Sequence, residues 1–253
     1  MPPTELPTLQ PRETNSHRTV LVTGGSGGIG RAVCLAFARA GWTVGVHCFS
    51  RPGEADATLR LVRQTSPHSR LYRADIRLSQ EVRAMVDIFI KEHGALGAMV
   101  CNAGIATSQL MIRHRTKEWL RVIETNLTGT FHCIQAAGDR MVQAGGGSIL
   151  VVSSYAATHG DTGQAAYASA KAGLLGLVRT AGLEWGKSNV RINLVYPGLQ
   201  RTSLAGPTGP APALKNHLLD RSPDLDEVAA TICHLAQLKD MSGQVWNLDS
   251  RLV

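Results

Sequence analysis

Apolar residues along this chain fall into short continuous runs separated by longer stretches with helical periodicity. "TVLVTG" (Thr19–Gly24), "WTVGVHC" (Trp42–Cys48), "SRLYRAD" (Ser69–Asp75) and "LGAMVCNAG" (Leu96–Gly104) read as strands, as do "GSILVVSS" (Gly147–Ser154), "NVRINLVYPG" (Asn189–Gly198) and "GQVWNLD" (Gly243–Asp249). Between them, helical patterns cover Gly30–Gly41, Glu54–Thr65, Ser79–Gly94, Lys117–Gln143, the stretch around Tyr167 to about Gly186, and Asp224–Leu238. Strands that are apolar throughout, each followed by a helix, imply a parallel sheet covered on both faces. The predicted fold is α/β: a single Rossmann-like doubly wound sheet of about seven strands. Residues 1–17, rich in proline and polar residues, read as a disordered tail, and residues 18–253 as one domain. The Gly- and Pro-rich segment after Ser203 reads as a mobile lid over about 203–222. It follows a strand end, where ligands bind in such sheets.

Composition narrows the class. Of 253 residues, 43% are hydrophobic, enough for a sizeable core, and the formal net charge is +7. Two basic clusters stand out, Arg51, Arg60, Arg63, Arg70 and Arg73, and the run Arg113–Arg121. They suggest anionic ligands. Without an aromatic-interleaved basic stripe, they do not suggest nucleic acid. The tail has no apolar core of a signal peptide, and no run is long enough to span a bilayer. Cys34, Cys48, Cys101, Cys133 and Cys233 show no metal spacing and sit in apolar contexts, as reduced thiols of a cytoplasmic protein would. No metal site is predicted.

"TGGSGGIG" (Thr23–Gly30) lies between a strand and a helix, the context of a phosphate loop. In "AAYASAKAGLLG", Tyr167 and Lys171 lie one helical turn apart on one face. That spacing alone also fits a rim tyrosine and a solvated lysine. Together with Gly24, Gly28 and Gly30, Asn102-Ala103-Gly104, Asn126 and Ser154, the order of motifs resembles the short-chain dehydrogenase/reductase family over about residues 17–249. Its closest look-alike there is the 3-oxoacyl-[acyl-carrier-protein] reductase branch.

The resemblance implies catalytic Asn126, Ser154, Tyr167 and Lys171, with Ser153 as the weaker alternative to Ser154. Tyr167 would donate the proton in carbonyl reduction and Ser154 would steady the oxygen. Lys171, jointly with a positively charged nicotinamide, would lower the phenol's pKa, and it would hold the nicotinamide ribose; Asn126 would hold a water relaying protons to the lysine. The implied dinucleotide site comprises Gly24, Ser26, Gly28, Ile29, Gly30, Ser50, Arg51, Asp75, Ile76, Asn102, Ala103, Gly104, Tyr167, Lys171, Pro197, Gly198 and Thr202. Ser154, Gln164 and Tyr167 would meet the substrate. An NAD-preferring member carries an acid at the end of the second strand. Cys48 stands there, followed by Ser50 and Arg51, which suit the 2′-phosphate of NADP(H). Arg31 is a second candidate, and Gly27 stands where many NADP-dependent relatives have a basic residue. The implied assembly is a homotetramer paired through the Lys117–Gln143 and Tyr167 helices. Arg113 and Arg115 match positions that meet an acidic carrier protein, whereas Gly145–Gly147 and the ending "NLDSRLV" depart from that branch. The leading function is therefore reduction of a 3-oxoacyl thioester. A reductase of a small or polyketide-like ketone and a non-catalytic dinucleotide-sensing module are the alternatives.

Overall fold

The computed structural model describes residues 17–200 and 217–252. Seven strands form one sheet: β1 (Thr19–Val22), β2 (Thr43–Cys48), β3 (Arg70–Arg73), β4 (Ala98–Cys101), β5 (Gly147–Val152), β6 (Val190–Tyr196) and β7 (Val245–Asn247). Their order is β3-β2-β1-β4-β5-β6-β7, and every neighbouring pair is parallel. The helices are α1 (Gly28–Arg39), α2 (Pro52–Arg63), α3 (Ser79–His93), α4 (Thr116–Ile123), α5 (Gly129–Ala144), α6 (Ala156–His159), α7 (Ala165–Trp185) and α8 (Leu225–Leu235).

Period-two alternation divides the strand residues between two cores. Val20, Val22, Val44, Val46, Val100 and Leu150 face α1, α2 and α8, packing with Phe37, Leu59 and Ile232. Leu21, Met99, Ile149, Ile192 and Leu194 face the other way, onto Phe89 of α3, Met141 of α5 and Leu174 of α7. Both faces are covered by apolar side chains, which explains the apolar runs in the sequence. Burying each such large side chain contributes roughly 1.5–3 kcal/mol.

The chain leaves β1 toward β2 on one side and later returns to place β4 on the other. This reversal opens a crevice beyond the carboxyl ends of β1 and β4, where open parallel sheets take ligands.

Two expectations change. The single helix over Lys117–Gln143 is α4 and α5 joined by one wide π-turn at Glu124–Thr128. Helical periodicity continues through such a turn, so the pattern alone does not reveal it. The strand over Leu96–Gly104 ends at Cys101, because Asn102 turns its backbone N–H onto Thr23 Oγ1 (2.9 Å). Of the tail, residues 1–16 lie outside the described residues, as do Thr202 and residues 203–216 of the expected lid. Among the described residues no helix is long and apolar enough to cross a membrane.

Candidate active site

The glycine-rich loop follows β1 directly. Gly24 has φ +70, in the left-handed region, and a Cβ there would stand 2.9 Å from Ala103 Cα. A Cβ on Gly30 would come within 2.1 Å of Gly24 O, so α1 can begin this close only on glycine. No side chain caps the α1 N-terminus, and its first turn holds no acid. Its first N–H groups therefore offer partial positive charge to an anion. Ser26 is buried and Ile29 partly buried within this loop and first turn. Thr23 Oγ1 also accepts Ala103 N–H (3.0 Å), and Asn102 Nδ2 donates to Thr23 O (3.0 Å). These bonds tie the loop to the Asn102-Ala103-Gly104 segment.

At the far end of the crevice, Cys48 is buried while Ser50 and Arg51 are exposed beside the start of α2. Arg51 Nη1 reaches Glu54 Oε2 at 3.2 Å. Arg31 instead laces the loop to α2: its Nε donates to Thr58 Oγ1 (2.9 Å) and its Nη2 to Ser26 O (3.2 Å). Asp75 sits after β3, paired with Arg77, which holds its carboxyl below the usual range. Ile76 is buried against Gly129, and its carbonyl accepts from His132 Nδ1 (3.0 Å).

His47 is a residue the sequence reading missed. It is buried within β2, where Nδ1 accepts Gly24 N–H (3.2 Å) and Nε2–H donates to Ala74 O (2.9 Å). Burial pushes its pKa down, so the neutral ring joins the phosphate loop to β3. A histidine inside the apolar run "TVGVHC" was the available signal.

The opposite end gathers Ser154, Tyr167 and Lys171. The two serines after β5 separate cleanly. Ser153 is buried, and its Oγ donates to Lys171 O (3.0 Å). Ser154 is partly exposed; its Oγ accepts Ala156 N–H (3.2 Å) and bonds the Tyr167 hydroxyl. Burial pushes the Tyr167 phenol up, and the Ser154 bond opposes that. Lys171 is 4% exposed, its Nζ donating to Val152 O at 2.8 Å and lying 5.7 Å from the Tyr167 ring centre. Burial pulls its pKa down to about 8. In the chain by itself the phenol is thus higher, not lower, than a free tyrosine. The lowering expected jointly from Lys171 and a charged nicotinamide concerns the cofactor-bound protein.

Asn126 lies in the π-turn and is fully buried. Its Oδ1 accepts Ile105 N–H (2.8 Å) and its Nδ2 donates to Ile105 O (2.7 Å), so the amide clamps the irregular segment that leaves β4. A Cβ on Gly104 would stand 3.0 Å from that Oδ1 and 3.8 Å from Lys171 Nζ. Asn126, Gly104 and Lys171 therefore converge.

On the substrate side, Gln164 Nε2 donates to Asp161 (3.0 Å), and Pro197 O accepts from Gln200 (3.1 Å), with Gly198 next in line. A second missed group adjoins Ser154: the Tyr155 ring stacks on His159 (4.0 Å), and the Arg251 guanidinium sits 4.1 Å over it, anchored by buried Asp249. Only folding brings residue 251 to residue 155. Arg113, ending a short turn at Met111–Arg113, and Arg115 are both exposed.

The glycine cradle, the uncapped helix start and the Ser154–Tyr167–Lys171 cluster all lie beyond the carboxyl ends of the neighbouring strands β1, β4 and β5. The glycine cradle and the uncapped helix start could hold the pyrophosphate of a dinucleotide. The model for short chain dehydrogenase matches residues 18–212. A 3-oxoacyl-[acyl-carrier-protein] reductase FabG of Staphylococcus epidermidis is 31% identical over 90% of this chain and 96% of its own length. The Synechocystis 3-oxoacyl-[acyl-carrier-protein] reductase is 32% identical over 93% of this chain and 97% of its own. A solved Sinorhizobium meliloti 1021 structure, assigned to the short-chain alcohol dehydrogenases, superposes with a TM-score of 0.85. It is 28% identical, over 93% of this chain and 96% of that one.

Proposed function

Because this chain belongs to the short-chain dehydrogenase/reductase family of oxidoreductases, we propose that it reduces a 3-oxoacyl thioester on a carrier protein to the 3-hydroxyacyl form, with NADPH. What carries the reading is the similarity to reductases of that substrate along nearly the whole chain, with Ser154, Tyr167 and Lys171 drawn together beyond the end of β5. NADP(H), when bound, supplies the hydride that reaches the carbonyl carbon.

Tyr167 gives its hydroxyl proton to the carbonyl oxygen as the C–O π bond breaks, so the oxygen ends as an alcohol. Its raised pKa keeps it protonated at neutral pH, the form a proton donor needs. Ser154 donates a second hydrogen bond to the same oxygen and steadies its developing charge. Lys171, beside Tyr167, supplies positive charge as the phenolate forms and holds the ribose hydroxyls. Asn126 keeps the Gly104–Ile105 backbone in place beside that ammonium, and its place in a water relay to Lys171 belongs to the same proposal. Gly24, Ser26, Gly28, Ile29 and Gly30 hold the pyrophosphate, Asp75 and Ile76 flank the adenine, and Ser50 and Arg51 take the 2′-phosphate. Asn102, Ala103, Gly104, Pro197, Gly198 and Thr202 complete the cofactor site, and Gln164 borders the substrate.

The same reading makes the protein a cytoplasmic homotetramer. Its five cysteines are free and buried, and Leu120 and Phe131 stay exposed on the helices expected to pair. A free or polyketide-like ketone is the second reading, supported by the Gly145–Gly147 loop and the ending "NLDSRLV", which depart from the carrier-protein branch.

The deciding assay is NADPH oxidation with acetoacetyl-carrier protein against a panel of free ketones. Replacing Arg113 and Arg115 with glutamate should raise the apparent KM for the carrier substrate several-fold and leave a free ketone unchanged, because steering acts on encounter. If both substrates respond alike, the carrier-protein reading fails.

A further inference from the structure

NADP differs from NAD by one 2′-phosphate, carrying roughly −1.5 to −2 charges near neutral pH. Three charged side chains stand where it would arrive, beyond β2 and beside the phosphate loop. Arg31 is committed to Thr58 Oγ1, to Ser26 O and, more loosely, to Glu54 O (3.4 Å). Arg51, at the N-cap of α2, reaches Glu54 Oε2 at 3.2 Å. Glu54 closes the set: the same Oε2 lies 3.4 Å from where a side chain on Gly27 would begin. Its carboxylate therefore spans the gap between the glycine loop and the arginine.

We propose that Glu54 is a specificity-determining residue, competing with the 2′-phosphate for Arg51 and so lowering this protein's preference for NADP(H) over NAD(H). The proposal rests on the reading that Arg51 meets that phosphate. Three observations carry it. The Glu54 and Arg51 side chains are about half exposed, at 50% and 44%, so both remain within reach of an incoming nucleotide. Arg31 already bridges the loop and α2, so it is not an equivalent second donor to the phosphate. The carboxylate faces the loop, so a phosphate seated on Arg51 meets a like charge a few ångströms away. That is shorter than a Debye length of about 8 Å, and salt in the cell does not remove it. NAD(H) has no charge at this point and registers neither effect.

The experiment is a fluorescence titration of NADPH and NADH into wild type, Glu54→Gln, Arg51→Ala and the double variant. The exposed position makes Glu54→Gln mild for folding. In the glutamine variant NADPH should bind roughly tenfold tighter, the scale of one or two unit-charge repulsions across about 5 Å near water. NADH should stay within about twofold, and the NADPH gain should shrink in the Arg51→Ala background. A glutamine variant with unchanged NADPH affinity overturns the proposal. So does selective loss of NADH affinity, since the carboxylate would then be holding the ribose hydroxyls. An undiminished gain in the Arg51→Ala background overturns competition for Arg51. If wild type prefers NADH while Glu54→Gln still shifts the ratio toward NADPH, the NADP reading fails and the role of Glu54 stands. If wild type binds neither nucleotide, both fall.

Discussion

Replacing Lys171 with methionine isolates what burial of an ammonium costs this fold. The side chain is 4% exposed, and burial, partly offset by Cys101, draws its pKa from 10.5 to about 8. At 1.36 kcal/mol per pKa unit, holding the charged form inside costs the folded state about 3 kcal/mol at neutral pH. Methionine fills similar space without charge. It forfeits the bond to Val152 O, worth about 1 kcal/mol. The variant should therefore be about 2 kcal/mol more stable at pH 7, which is roughly 4–8 °C in Tm for a chain of this size.

The pH dependence follows from the same pKa. Between pH 8 and 10.5 the unfolded chain binds the proton and the folded chain does not, so wild-type stability rises through that window. The advantage of the variant should be complete below pH 8, shrink above it, and turn into a deficit of about 1 kcal/mol above 10.5, where only the lost bond to Val152 O remains. Calorimetric scans of nucleotide-free protein from pH 7 to 10.5, at one protein concentration, test this. A lower Tm for the variant at pH 7, or a gap that does not change with pH, would refute the reasoning. The variant's turnover should meanwhile collapse, a stability cost that the site carries for its chemistry.

Tyr167→Phe should lower turnover at least about a hundredfold while NADPH still binds, and near-normal turnover would remove Tyr167 as proton donor. The neighbouring serines should part company: Ser154→Ala should act on turnover with little change in Tm. Ser153→Ala should remove one buried bond to Lys171 O, which keeps its partner within α7, and cost about 0.5–1.5 kcal/mol of stability, read as a lower Tm. Light scattering at micromolar concentration should return a tetrameric mass, and a monomer would falsify the pairing of the α4–α5 and α7 faces.

The sequence disclosed what local pattern and order determine. β1, the loop to Gly30 and the α7 helix were legible because strand, glycine and helix signals are contiguous there. The π-turn was not, since its evident partner is Ile105, distant in sequence, and Asn126 reads locally as one polar residue in a helix. His47 was hidden for a similar reason: its two bonds go to Gly24 and Ala74. The choice of Ser154 over Ser153 rested on resemblance, and the bond from Ser153 to α7 supplies its physical basis. Glu54 carried no signal at all, because an acid in the first turn of a helix is ordinary.

Two bonds stitch the end of β5 to the middle of α7, from Ser153 Oγ to Lys171 O and from Lys171 Nζ to Val152 O. They close a ring of main chain whose only slack is the stretch from Tyr155 to Gln164. That stretch can be lengthened, shortened or recoloured at its tip while the hydroxyl, phenol and ammonium keep their spacing. A lineage built on this frame can trade one carbonyl compound for another by editing an apron around a fixed anvil.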